Sequence, residues 1–108
     1  MKIAELDLIE VYVYANQIQG LSNYVYMQNS ESNKLVSDFG MFAEQLSNNL
    51  LKMCEKKIKK NKMSSISFLV LKKELSSFKF YSSKERNLTF LCSLLEKYNF
   101  YENVLINN

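Results

Sequence analysis

Histidine, proline and tryptophan are absent from this chain of 108 residues, which holds only two Gly, two Cys and a single Arg. Without His there is no imidazole base, no His ligand for a metal and no switch titrating near neutrality. Cys54 and Cys92 are too few and too far apart for an all-cysteine zinc site or a disulfide framework. Both sit among Leu, Met and Phe, as small buried hydrophobes do in a reducing compartment. Nor is there a glycine-rich phosphate loop, or a Ser or Cys set beside a base. Asp38 and Glu44 read as the wet face of a helix rather than a catalytic pair. The expectation is a protein that is not an enzyme, with no catalytic residue, no metal, no cofactor and no small-molecule substrate.

Long apolar runs are missing too. The longest, counting Tyr, is Val11 to Ala15, far below the ~20 residues that span a bilayer. No membrane contact is expected. Glu5, Asp7 and Glu10 interrupt the N-terminus where a secretory signal needs a basic start and an unbroken apolar stretch. The expected location is therefore cytoplasmic, and the sequon Asn87-Leu88-Thr89, which falls within a helical segment, is read as chance.

What is present suits one globular domain. The chain is 47% hydrophobic and 23% charged, a balance that supports a core rather than disorder. Ala4, Leu8, Val11, Ala15, Ile18, Ser22 and Val25 are spaced by alternating steps of four and three, which predicts a helix from about Ile3 to Met27. Ile9 to Tyr14 carries a rival strand signal, rich in β-branched and aromatic residues. Tyr12, Tyr14, Tyr24 and Tyr26 widen the apolar face, so this helix needs cover on more than one side, from its own domain or a second copy. The polar break Gln28 to Asn33 can cap a second helix. That helix is predicted on Leu35, Phe39, Phe42, Leu46, Leu50 and Met53, continuing towards Ile58, with Gly40 marking close packing.

Beyond the lysine run Lys56 to Lys62, Ser64 or Ser65 opens a short third helix with Phe68, Leu71 and Leu75 on one face. Phe78 to Tyr81 is an aromatic connector. Ser82-Ser83-Lys84-Glu85 reads as a capping box, Ser first and Glu three residues on. It starts a fourth helix with the stripe Leu88, Leu91, Leu95 and Tyr98. The predicted fold is all-α, a single domain of about four helices: an N-terminal helical hairpin in residues 1–60 and a C-terminal helix pair in 61–108.

Charge divides along the same line. Residues 1–51 hold two Lys against six acids, a net of −4, and residues 52–108 hold twelve basic residues against five acids, a net of +7. Such polarity suggests a surface facing a polyanion. Three readings stay open: a solvated lysine face, phosphate contact, or an acidic protein partner. With Arg86 the only arginine, nucleic-acid contact would rest on backbone electrostatics, because bidentate base reading favours Arg.

Residues 48–104 also carry a family pattern. A helix ends at Lys59-Lys60-Asn61, a short second helix follows Ser65, and Ser83-Lys84-Glu85-Arg86-Asn87-Leu88 opens a third. That third helix closes on Leu94-Leu95-Glu96-Lys97-Tyr98 and Phe100. This resembles the helix-turn-helix core of winged-helix domains. The resemblance implies DNA or RNA as partner. It would set Lys84, Arg86 and Asn87 at the groove-facing start of a recognition helix, with Lys72, Lys73 and Lys79 near phosphates. The chain departs from the pattern at Asn99, where the family usually has Gly. One candidate strand, Tyr101 to Ile106, stands where a two-stranded wing is needed.

The leading expectation is a small regulatory protein that binds nucleic acid through its basic half and forms a dimer through its hairpin. Tyr12, Tyr14, Tyr24 and Tyr26 are the candidate protein-interface residues, since Tyr offers contact area with a polar tip. The alternative is a helical adaptor or inhibitor of the secretion-chaperone, toxin-immunity or phage counter-defence type, acting on one protein partner.

Overall fold

The computed structural model describes residues 5–60 and 80–107, which are 87% helical and contain no strand. Four helices follow in order: α1 Glu5–Asn29, α2 Lys34–Lys60, α3 Lys84–Leu95 and α4 Tyr98–Ile106. The predicted helix from Ser65 and the residues Phe78 and Lys79 of the connector lie outside the described residues.

The four-three seam of α1 is the core of the molecule. Leu8, Val11, Ala15, Ile18, Ser22 and Val25 are all buried, and Asn29 extends the seam by one more step. The β-branched stretch Ile9 to Tyr14 is helical. Val and Ile cost a few tenths of a kcal/mol in a helix, while burying each returns about 1.5–3 kcal/mol. Periodicity over the whole segment outweighs local strand propensity. Polar residues on the seam turn back onto their own helix, Ser22 Oγ donating to Gln19 O at 3.0 Å and Asn29 Nδ2 to Val25 O at 2.8 Å.

Asn33 starts α2, its side-chain oxygen accepting from Val36 N at 3.3 Å and its carbonyl from Ser37 N at 3.0 Å. The polar break does cap the second helix. The face that α2 turns inward differs from the predicted one over its first half. Its buried residues are Ser37, Gly40, Ala43, Ser47, Leu50, Cys54 and Ile58. The expected Leu35 and Phe42 are instead 84% and 55% exposed. Small side chains win the inner position because they let two backbones approach. A Cβ on Gly40 would lie 2.8 Å from Ser22 O and 2.9 Å from Tyr26 N, closer than Cβ atoms come. Along the same interface Gln19 Nε2 donates to Asn48 Oδ1 at 2.7 Å. Tyr26 beside Gly40 and Gln19 beside Asn48 fix α1 and α2 as an antiparallel hairpin.

Helix α3 packs against α1 opposite in direction, with Asn87 near the end of α1 at Gln28 and Leu94 near its middle at Tyr14. Ser83, not Ser82, caps it: Ser83 Oγ accepts from Arg86 N at 3.3 Å. The predicted fourth helix divides at a turn over Glu96 and Lys97. The segment Tyr101–Ile106, a candidate strand by composition, is helical in α4 and buries Leu105. Leu91 is fully buried, with Leu88, Leu94, Leu95 and Tyr98 packed around the same core. α1 is thus covered on more than one side from within its own domain.

Candidate interaction surfaces

Of the residues that the sequence marks for nucleic acid, Lys72, Lys73 and Lys79 lie outside the described residues. Lys84 is exposed at the start of α3, its Nζ donating to Ser32 Oγ at 3.2 Å in the α1–α2 turn. Arg86 is exposed, with its guanidinium carbon 5.9 Å from the centre of the Tyr81 ring. That distance suits a cation–π contact. Asn87 departs from expectation. It is fully buried, and its amide is committed within the chain. Nδ2 donates to Tyr81 O at 2.7 Å and to Gln28 Oε1 at 2.9 Å, and Oδ1 accepts from Tyr81 N at 3.0 Å. It staples the connector to α3 and α1, and has no hydrogen-bonding capacity facing a groove. The same burial removes the sequon from any modifying enzyme in the folded state.

The tyrosines separate in a similar way. Tyr12 and Tyr14, expected at an interface, are buried within the domain. Tyr12 shares its surroundings with Cys54 and Glu55 of α2. Tyr14 donates its hydroxyl proton to Leu94 O and stacks on Tyr101 with ring centres 3.9 Å apart. Both are core residues because α1 must satisfy neighbours on two sides. Tyr24 is half-buried, stacked at 4.5 Å on Phe80, whose ring also lies over Gly20. Tyr26 is half-buried beside Gly40.

Burial sets the protonation of this interior. It raises Tyr14 well above the ordinary tyrosine value, with Tyr101 and Tyr98 reinforcing the shift. Tyr98 is pushed up to about 12 by burial and by its hydrogen bond and charge contact with Glu102. Burial, then the Glu55 carboxylate, pushes the Cys54 thiol up to about 12. A thiol held so high is not a nucleophile near neutrality. Among the described residues no three His, Cys, Asp or Glu gather where they could hold a metal ion, and no helix is long and apolar enough to cross a membrane.

Two features of α2 are left facing outward. The first is apolar. Leu35 and Phe42 are exposed, Phe39 and Leu46 half-buried, and at steps of four, three and four they share one side of the helix. Aromatic and long aliphatic side chains in water along one helix face are the feature that calls for explanation. The second is basic. Lys52, Lys56, Lys59 and Lys60 are exposed on the last turns of α2, where Glu55 is the one acid between Lys52 and Lys60. These lysines and the Lys84–Arg86 pair do not form one patch. Lys84 contacts the turn between α1 and α2, and the lysine run closes the opposite end of a helix that is about 40 Å long. Composition could not reveal this, because sequence distance says nothing of which end of a hairpin a later helix joins.

Tyr81 of the connector and Glu85, Arg86, Thr89, Phe90 and Ser93 of α3 line an open groove, with Tyr81 and Phe90 edge to face at 6.1 Å. Comparison of the chain with known protein families, curated proteins and solved structures finds no match.

Proposed function

We propose that this chain is a small non-enzymatic binding protein of the cytoplasm that acts by docking a protein through the apolar side of α2. The observation that carries this reading is the side formed by Leu35, Phe39, Phe42 and Leu46. Phe39 also packs against the core, but Ser37, Gly40, Ala43 and Ser47 are the residues of this stretch buried at the close approach to α1, which leaves Leu35 and Phe42 exposed. Helix faces of this kind bind by laying apolar residues at steps of three and four into a partner. The test is capture by the immobilised full chain and by its Phe42→Glu variant. A partner retained by the first and lost by the second is the expected result. Capture that ignores the substitution sinks the reading.

A second reading keeps nucleic acid, supported by the lysine end of α2. Lys52, Lys56 and Lys59 at steps of four and three share a side, with Lys60 adjacent. Lysine point charges anchor phosphates without reading bases, so binding would be non-specific and steeply salt-dependent. This reading moves the contact away from Asn87 and from a winged-helix recognition mode. Titration of duplex and single-stranded DNA at about 50 mM salt, where phosphate contacts are strong, tests it. Binding must appear there, and must fall when Lys52, Lys56, Lys59 and Lys60 become Glu.

A further inference from the structure

We infer that the partner docked by α2 is an acidic amphipathic helix, apolar over one half and rich in Asp or Glu over the other. The inference rests on the docking reading above and names the chemistry of its partner. The stripe on α2, the charge at its far end and the small size of its apolar part point there together.

The stripe runs the length of the helix. Leu35, Phe39, Phe42 and Leu46 stand at steps of four, three and four, and the same alternation continues through Asn49 and Met53 to Lys56 and Lys60. One side of α2 is therefore apolar over about three turns and cationic at its end. Phe39 and Met53 also pack against the core, so Leu35 and Phe42 are the outward anchors, 84% and 55% exposed. Asn49 is the polar step between two unlike halves.

Charge separates those halves further. Beside the anchors, exposed Lys34 and Asp38 offset each other. At the far end Lys52, Lys56, Lys59 and Lys60 are exposed, and Lys57 is half-buried. The one acid in that stretch, Glu55, stands near Tyr12 of α1. It lies off the stripe and leaves Lys56 and Lys60 without an offsetting charge beside them there.

Size decides how far the contact must reach. Leu35 to Leu46 spans about 16 Å. Two exposed side chains cover only a small part of the roughly 800 Å² that each partner buries in a specific complex. Leu35 is the second residue of α2, so a helix lying in this stripe gains further contact with α2 only towards the lysines. A basic helix is repelled there, and a wholly apolar one desolvates the lysines without pairing them. Acidic residues pair them and also speed the encounter. The spacing follows. Phe42 and Lys56 are fourteen residues apart, about 21 Å along the axis, so the partner's acids stand about four turns from its apolar contact. A nucleic acid answers the lysines but leaves the aliphatic Leu35 without a counterpart, which favours a protein helix.

The probe is a displayed library of helical peptides as long as α2, 27 residues, selected on the immobilised full chain. Recovered peptides are expected to carry apolar residues at steps of three and four in one half and an excess of Asp or Glu in the other. Fluorescence anisotropy at about 50 mM salt then reads the affinity of a recovered peptide. It should weaken roughly tenfold when Lys56→Gln and Lys60→Gln are combined, and further with Lys56→Glu and Lys60→Glu. The difference should shrink at about 500 mM salt. Circular dichroism confirms that each variant folds. Peptides without an acidic excess, or binding indifferent to both lysine pairs, overturn the acidic partner. The docking reading survives that result if Phe42→Glu still abolishes binding. Binding indifferent to Phe42→Glu removes both, as does a library that yields no binder. DNA held through Lys56 and Lys60 equally by the native chain and by Phe42→Glu, with no peptide recovered, puts the nucleic-acid reading in their place.

Discussion

Gly40 and Asn87 show how single residues decide the arrangement. At Gly40 the helix would gain about 1 kcal/mol from alanine in propensity alone. The added Cβ, however, meets backbone atoms of Ser22 and Tyr26 at 2.8–3.2 Å, and backbone cannot rotate away as a side-chain tip can. Overpacking of this kind costs about 1–3 kcal/mol. Gly40→Ala is therefore expected to lower the urea midpoint despite its better propensity, and an unchanged or raised midpoint would show that the hairpin can spread. At Asn87 the argument concerns satisfaction. Its amide answers the N–H and C=O of Tyr81 together with Gln28. Asn87→Leu fits the volume but leaves those groups unpaired, at about 1–3 kcal/mol for a buried polar group. Hydrogen exchange should locate the loss at the Tyr81 amide. Protection there as strong as in the native chain would remove Asn87 from its stapling role.

At the scale of elements, α2 carries two seams that the sequence offers in competition. Leu35, Phe39, Phe42 and Leu46 are the conspicuous one, and hydrophobicity alone selects it for the core. The small residues Ser37, Gly40, Ala43 and Ser47 carry little hydrophobic weight, yet they share a spacing of three and four and take the inner side. What hydropathy cannot weigh is the gain from bringing two backbones together. The expectation of close packing at Gly40 already contained this signal, and following it along the helix would have selected the right face. From Leu50 onward the two seams converge, which is why Leu50, Cys54 and Ile58 were legible. α1 was legible throughout, because one alternation of apolar and small residues runs its full length. The division between α3 and α4 was not, since no Gly or Pro marks the turn at Glu96 and Lys97. The candidate site divides the same way. Lysines are visible in composition, but which tyrosines are buried depends on where α3 and α4 return. The two seams predict unlike mutational costs. Leu50→Ala, in the inner seam, should cost about 2–5 kcal/mol. Phe42→Ser, on the outer one, should change the stability of the monomer by less than about 0.5 kcal/mol, as exposed sites do. Chemical denaturation at low protein concentration checks both, and equal costs would mean that the outer seam is covered within one chain.

The whole molecule has a titrating core, and its stability should depend on pH at the alkaline end. Tyr12, Tyr14, Tyr98 and Tyr101 are all raised from the ordinary tyrosine value of 10.0, and Cys54 from 9.0, chiefly because burial disfavours their charged forms. For each group the folded value lies above the unfolded one. Below the ordinary value both states hold the proton, and the stability is fully present. Between the two values the unfolded chain releases a proton that the folded chain keeps, so stability falls as pH rises. The loss begins near pH 9, where unfolded Cys54 starts to ionise, and continues through about 12, where folded Cys54 and Tyr98 titrate. Each buried group contributes at most about 1.4 kcal/mol per pH unit across its window. Tyr12, Tyr14 and Cys54 are all buried, so their slopes add, and a domain stable by about 5–15 kcal/mol loses stability steadily as pH rises through this range. Helical signal and the tyrosinate absorbance of the buried rings should change together in one cooperative alkaline step, because those rings cannot ionise until the helices packed on α1 lift away. Tyr14→Phe should reduce the slope, since it removes one titrating group while keeping the stack on Tyr101. Tyrosinate formation that runs to completion while the helices stay intact would place these rings in water, and would undo both the packing of α4 on α1 and the assignment of Tyr14 to the core.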